Sequence, residues 1–138
     1  IRAAWAEHVA GMNKHDSKAS AAFMAEDGDI LDPMGKMARG RAEIEKMMAE
    51  HFQSDMMKNT IGDLAVTRVM FIKPDVALVD ADATMTGMTG PDGKPMPPMK
   101  HFVTGVMVKK SGKWWAQAIR VMMPPPPPAP AGQAPAKK

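Results

Sequence analysis

Apolar residues recur with two different periods along the chain, and the change between them divides it into two parts. Before residue 55 the spacing is helical. Trp5, His8, Val9 and Met12 fall on one face of a helix predicted over residues 2–13, and Asp16 can cap a short helix reaching about Met24. A second apolar stripe predicts a helix over residues 40–52; its members are Ile44, Met47, Met48, His51 and Phe52.

Between these helices the chain carries turn residues and short extended segments. Residues 26–29, Glu-Asp-Gly-Asp, predict a turn. Ile30 and Leu31 predict a short strand that Asp32-Pro33-Met34-Gly35 closes, and residues 36–39 can return as a second one. Because proline cannot donate to a sheet ladder, we expect Asp32 at the end of a strand or at a sheet edge.

After residue 55 the period becomes two, which is typical of strands. Four strands are predicted, over about 57–72, 75–87, 99–110 and 113–122, with a proline- and glycine-rich loop over 88–98. Helices therefore come first and strands follow. This order predicts the α+β class, with N-terminal helices packed on a curved antiparallel sheet.

Composition limits the number of domains and the classes of partner. Of the 138 residues, residues 1–123 can form one domain, and residues 124–138, rich in proline and alanine, predict a disordered tail. The net charge is only +3 and no basic run exceeds two residues, which argues against nucleic acid as a partner. No apolar run is long enough to span a membrane, and cysteine is absent, which excludes disulfides and thiolate chemistry. The chain starts at Ile1 rather than methionine; a removed signal peptide or a trimmed chain would explain this, and we expect export in preference to a cytoplasmic location.

Several segments resemble a known family. They are residues 13–16 (Asn-Lys-His-Asp), 23–29, 40–45 (Gly-Arg-Ala-Glu-Ile-Glu), 73–79 (Lys-Pro-Asp-Val-Ala-Leu-Val) and 106–114. Together with the order of elements, they are similar to the SgcJ/EcaC branch of the SnoaL-like group, within the nuclear transport factor 2-like superfamily. The resemblance implies a cone-shaped fold with a pocket between sheet and helices.

The resemblance also implies a candidate catalytic site. In ketosteroid isomerases of this superfamily the general-base aspartate lies in an Asp-Pro-x-Gly element, which Asp32 matches here. The two oxyanion-binding positions fall on His8 and His101, so the isomerase residue types are not kept. We expect Asp32 as base, His101 as acid or electrophile and His8 as positioning donor, in proton transfer on an apolar carbonyl compound. No cofactor is expected.

The residues expected to line the pocket are apolar. They are Trp5, Met12, Met47, Met48, Phe52 and Val103. The expected partners are a small apolar ligand and a second copy of the chain, paired through the outer face of the sheet. A non-catalytic binding or dimerisation module is the alternative.

Metal binding is a third alternative. Asp32, His8 and His101 could form a two-histidine, one-carboxylate set, although no ligand spacing supports it. The chain also has 16 methionines, and Met85-Thr-Gly-Met88 and Met96-Pro-Pro-Met99 repeat a thioether spacing that soft Cu(I) accepts. A plastic apolar core explains the same methionines without metal. Asp80 and Asp82, two residues apart on one strand, favour a solvated outer face over paired acid–base carboxylates.

Overall fold

The computed structural model describes residues 1–126, 128, 129, 131 and 132. The helices are α1 (Arg2–Asn13), α2 (Ser17–Ala21) and α3 (Arg41–Gln53). The strands are β1 (Met24–Leu31), β2 (Met37–Arg39), β3 (Ile61–Lys73), β4 (Val76–Thr86), β5 (Met99–Lys110) and β6 (Lys113–Met122). The α+β prediction is therefore confirmed. The remaining residues of the predicted tail lie outside the described part of the chain.

One curved, open sheet contains all six strands, in the order β2-β1-β6-β5-β4-β3. The pairs from β3 to β6 are antiparallel hairpin neighbours, as their spacing predicts. β1 instead pairs parallel with β6, the last strand in the chain. The helices lie on the inner face and leave the outer face open.

Local hydrogen bonds define where α2 and α3 begin. The carboxylate of Asp16 accepts a hydrogen bond from the backbone N–H of Ala19 at 3.0 Å, so it caps α2 as predicted. Gly40, with a φ of 85°, begins α3, and Glu43 in its first turn accepts a hydrogen bond from the N–H of Arg39 at 2.8 Å. This bond fixes β2 to the start of α3.

The prediction of a turn over residues 26–29 is wrong, because these residues lie inside β1. The register of β1 with β6 shifts between Met24 and Asp29. This irregularity in the pairing accommodates the polar residues, and the strand continues through them. A Cβ on Gly28 would lie 2.9 Å from the carbonyl oxygen of Ala116, and only glycine lets the two backbones approach this closely. Strand β3 also starts later than expected, after turns over residues 55–59.

Large side chains fill the interior between helices and sheet. Trp5 of α1 packs on the middle of β5, where a Cβ at Gly105 would lie 2.8 Å from its ring. Methionine contributes an unusual share of this core, which consists in part of Met24, Met47, Met48 and Met107. Because methionine is unbranched, it fits the irregular space under a bent sheet.

Candidate functional site

His101 lies at the start of β5 and faces the interior. It pairs in register with Ala83 of β4, and only 8% of its surface is exposed. Within the described part of the chain, neither ring nitrogen has a hydrogen-bond partner. Burial lowers the pKa of His101 below its usual value of 6.5, since the charged ring would lose hydration. The ring is therefore neutral near pH 7 and free to donate or accept.

A small cavity lies beside His101, with a volume of about 40 Å³. One to about three water-sized guests would fill it. Asp63 and Thr84 complete its rim, and its walls are Val9 and Met12 of α1, Leu64 of β3, Ala83 and Met85 of β4, and His101. The cavity is far smaller than the several hundred Å³ of an ordinary small-molecule site. An organic ligand would have to displace side chains, and methionine thioethers are the side chains best able to move.

His8 occupies the interior but faces α2 instead of this cavity. Its Nδ1 lies 2.7 Å from the carbonyl oxygen of Ser20, to which it donates, and its ring stacks on Phe23 at 4.3 Å. Burial lowers the pKa of His8, and the hydrogen bond to Ser20 opposes part of that shift. His8 is therefore a neutral, anchored ring whose immediate contacts are structural.

Asp32 follows the end of β1, as the proline predicted. Its Oδ1 accepts hydrogen bonds from the backbone N–H groups of Met34 at 2.9 Å and Lys36 at 2.8 Å. The carboxylate thus holds the turn between β1 and β2 and is partly exposed. Its second oxygen makes none of the hydrogen bonds found among the described residues.

The sheet register gives the separation between Asp32 and His101. Leu31 pairs with Arg120, and Arg120 pairs with Thr104, so Asp32 is level with Val103 two strands away. Two strand spacings and two residues along β5 separate the two backbones by roughly 12 Å. That distance would accommodate a small ligand between the two side chains, but it excludes a direct contact between them.

The residues predicted to line a pocket divide into two groups. Met12 lines the cavity beside His101, whereas Phe52 is half-buried and packs 5.2 Å from the ring of His15. The others are core residues: Trp5, Met47, Met48 and Val103. The indole Nε1 of Trp5 is buried and has no hydrogen-bond partner among the described residues. These core side chains fill the space that the sequence analysis expected to be a pocket.

Two predictions from the sequence concern the carboxylates of β4 and a metal site. Asp80 accepts a hydrogen bond from Thr104 at 3.0 Å, and Asp82 is exposed, on the outer face of the sheet as expected. The described residues contain no group of three or more histidine, aspartate or glutamate side chains that could hold a metal ion. Asp32, His8 and His101 therefore do not form the two-histidine, one-carboxylate set.

An open groove of about 920 Å³, which no sequence pattern predicted, lies at the start of β6, at the end of this strand that is far from His101. At its wall, Arg41 and Lys113 lie 5.1 Å and 4.5 Å from the ring centre of Trp115. Asp27 accepts a hydrogen bond from Gln117, which is the main cause of its lowered pKa. The available signal was the sequence of residues 109–115, Lys-Lys-Ser-Gly-Lys-Trp-Trp, which places three lysines close to two tryptophans.

No helix among the described residues has both the length and the apolar character needed to cross a bilayer.

Several solved structures share this fold. An uncharacterised protein with a cystatin-like fold from Caulobacter vibrioides is 21% identical, with a TM-score of 0.80 over 91% of this chain and 88% of that one. A ketosteroid isomerase-like protein from Erwinia carotovora atroseptica is 19% identical, with a TM-score of 0.76 over 91% and 95%. A type 2 hexachlorocyclohexane dehydrochlorinase is 16% identical, with a TM-score of 0.77 over 96% and 88%. At these identities the likeness shows the fold alone.

Among curated proteins, none matches the chain significantly. The family model of the SnoaL-like domain, however, matches residues 5–117, which include most of α1, the whole of α2 and α3, and most of the sheet. This is the greater part of the sequence and includes His8, Asp32, His101 and the walls of the small cavity. The chain therefore belongs to the SnoaL-like family, with the cystatin-like fold of the nuclear transport factor 2-like superfamily.

Proposed function

We propose that the protein binds a small apolar molecule at the mouth of the cone, beside His101. The observation that carries this proposal is the imidazole of His101, which has no hydrogen-bond partner among the described residues and lies on the wall of a cavity lined mostly by apolar side chains. Such a site offers one hydrogen bond and otherwise apolar contact, which is the usual composition of a small-molecule pocket. An enlarged cavity requires only that Met12 and Met85 change rotamer.

Proton-transfer chemistry is the finer proposal for the same site. Asp32 would act as base and His101 as acid or electrophile. His8 is the proposed positioning residue, and it would act through its ring, which stacks on Phe23. The neutral state of His101 near pH 7 favours this role, because a neutral imidazole can both give and take a proton. The isomerase and dehydrochlorinase names among proteins of similar fold are consistent with chemistry at this position. The SgcJ/EcaC branch remains a prediction from the matching segments.

One set of variants tests binding and chemistry together. Ala83→Val adds two carbon atoms to the cavity wall, and we expect it to abolish ligand binding by filling the space. Ala65→Val is the matched control, since Ala65 is exposed on the neighbouring strand. Asp32→Asn keeps an oxygen acceptor for Met34 and Lys36, so the turn survives while the base is lost.

Binding is measured by calorimetry and turnover by the change in ultraviolet absorbance as an enone forms or is consumed, with a panel of enones and β-hydroxy-carbonyl compounds. We expect Asp32→Asn to bind the active compound normally and to lose about 10²–10⁴ in rate. Turnover that survives in Asp32→Asn contradicts the chemistry. Binding that is equal in Ala83→Val and the parent chain contradicts the site itself.

We also propose that two copies pair through the outer face of the sheet. Phe102 of β5 and Met122 of β6 are register partners, and 47% and 45% of their surfaces are exposed. Leu78 and Val106, a register pair between β4 and β5, extend this apolar surface. The polar row of Asp80, Thr104 and Arg120 separates the two apolar pairs. Exposed apolar side chains with a polar surround are typical of a site that pairs with another chain. The non-catalytic alternative needs only this face and a filled interior.

A further inference from the structure

Two thioethers and one imidazole meet at the small cavity. Met12 comes from α1, Met85 from β4 and His101 from β5, and all three line the same space of about 40 Å³. The elements that carry them are fixed to one another by the sheet and by the packing of α1 on β3. The convergence of these side chains on a void is therefore a property of the fold.

The sheet register explains how the side chains reach one another. Gly62, Met85 and Met99 form one row across β3, β4 and β5, and Ala83 and His101 belong to the next row on the same face. Met85 and His101 are thus diagonal neighbours, whose side chains can meet across about 7–8 Å between backbones. Because Gly62 has no side chain, the terminal methyl group of Met12 lies 3.8 Å from the place its Cβ would take.

His101 has the properties of a free ligand. Its ring nitrogens have no hydrogen-bond partner within the described part of the chain, and 92% of its surface is already removed from solvent, since only 8% is exposed. A neutral imidazole nitrogen is among the commonest metal ligands in proteins. Trp5 Nε1 is the only fully enclosed side-chain nitrogen or oxygen without a partner among the described residues, so the nitrogens of His101 remain accessible to water or to a guest.

The donor set selects the class of guest. Thioether sulfur is a soft, uncharged ligand that suits Cu(I) and is a poor ligand for Mg²⁺ or Ca²⁺. Asp63 is the one carboxylate among the residues that line this cavity, and the described residues offer no group of three or more acidic or histidine side chains for a divalent ion here. A single positive charge costs less to bury among neutral ligands than a double charge.

We propose that Met12, Met85 and His101, with Met99 in the adjoining position, bind one soft monovalent cation of the Cu(I) type in this cavity. The ion would bind an accessible nitrogen of His101 and join α1 to β4 and β5. This site does not depend on the proposed organic ligand. A metal can bind in the existing space, whereas an organic molecule needs the cavity to widen.

The test is competition for Cu(I) with a chromophoric chelator under reducing, oxygen-free conditions, using the full chain. We expect one equivalent to bind with a dissociation constant tighter than about 1 μM. Met12→Leu, Met85→Leu and His101→Gln should each weaken binding on the order of tenfold or more, since loss of even an outer partner costs 10–100-fold. Met34→Leu is the matched control, because Met34 is 83% exposed and distant in sequence from the cavity walls; it should bind as the parent chain does.

X-ray absorption of the Cu(I)-loaded parent chain gives a readout that needs no variant to fold. We expect a first shell of two or three sulfur atoms and one nitrogen atom. A shell of sulfur alone, binding weaker than micromolar, or equal affinity in His101→Gln and Met34→Leu would overturn the proposal. The organic-ligand proposal would stand in each case, because its panel is measured without metal.

Discussion

Trp5 and His8 show how single residues define the interior. The indole of Trp5 covers the backbone of Gly105, so any side chain at position 105 would meet the ring. His8 follows one turn later and uses its Nδ1–H for the carbonyl oxygen of Ser20. The helical stripe in the sequence predicted that both would face inward. It could not predict that α2, which begins after only three residues, would take the hydrogen bond of His8 and turn the ring away from the cavity.

The burial of His8 predicts a pH dependence of stability. The pKa of His8 in the folded state lies below 6.5, its ordinary value in an unfolded chain. Between the folded and the unfolded pKa, the unfolded chain therefore binds more protons than the folded one. The stabilisation is fully present above pH 6.5 and is lost as the pH falls towards the folded pKa. We expect the free energy of unfolding, measured with urea, to decrease from pH 7 to pH 5, with a slope of at most about 1.4 kcal/mol per pH unit from this group.

Two variants separate this effect from a general loss of stability. His8→Gln should be less stable at pH 7 and show a shallower slope. Gly105→Ala should lose about 1–3 kcal/mol through its clash with Trp5 and keep the slope of the parent chain. An unchanged slope in His8→Gln would show that the ring does not titrate with unfolding.

At the scale of elements, the strands differ in how far the sequence predicts them. Strands β3 to β6 alternate clearly and are joined by recognisable turns, so their number and order follow from the period. β1 was predicted six residues too late, because Glu26, Asp27 and Asp29 are typical of a turn. A bulge and the close approach at Gly28 let the strand include them, and both depend on the partner strand β6. The sequence pattern within one segment does not report the contacts that this segment makes with a distant strand.

The outer face of β5 and β6 predicts a homodimer that one charge can disrupt. Phe102→Asp places a carboxylate in the centre of the proposed contact, beside Asp82, its register partner on β4. We expect the parent chain to have twice the monomer mass by light scattering and Phe102→Asp to be a folded monomer. Phe71→Asp is the control: Phe71 is 59% exposed but packs against Trp114 on the opposite face. A monomeric parent chain, or dissociation by both variants, would contradict the interface.

For the whole molecule, the sequence predicts the architecture better than the site. Two periods and the order of elements were enough for the class and for the cover of helices on one sheet face. The expected pocket assumed that Met47, Met48 and Trp5 would surround a void, but they pack against one another and against the sheet. How much space remains depends on side-chain volumes across several elements, and composition does not report it. Met85 entered the cavity through its register with Gly62, which no single segment shows.

The central claim is that the methionines at the mouth of the cone admit a guest beside His101 while the core remains packed. The most direct measurement is the methyl spectrum of the protein labelled with ¹³C at every methionine, recorded with and without a saturating apolar ketone from the panel. We predict that the resonances of Met12 and Met85 shift, and that those of exposed Met34 and buried Met107 do not. If no compound moves the first pair, or if Met34 shifts equally, the cavity is not a binding site.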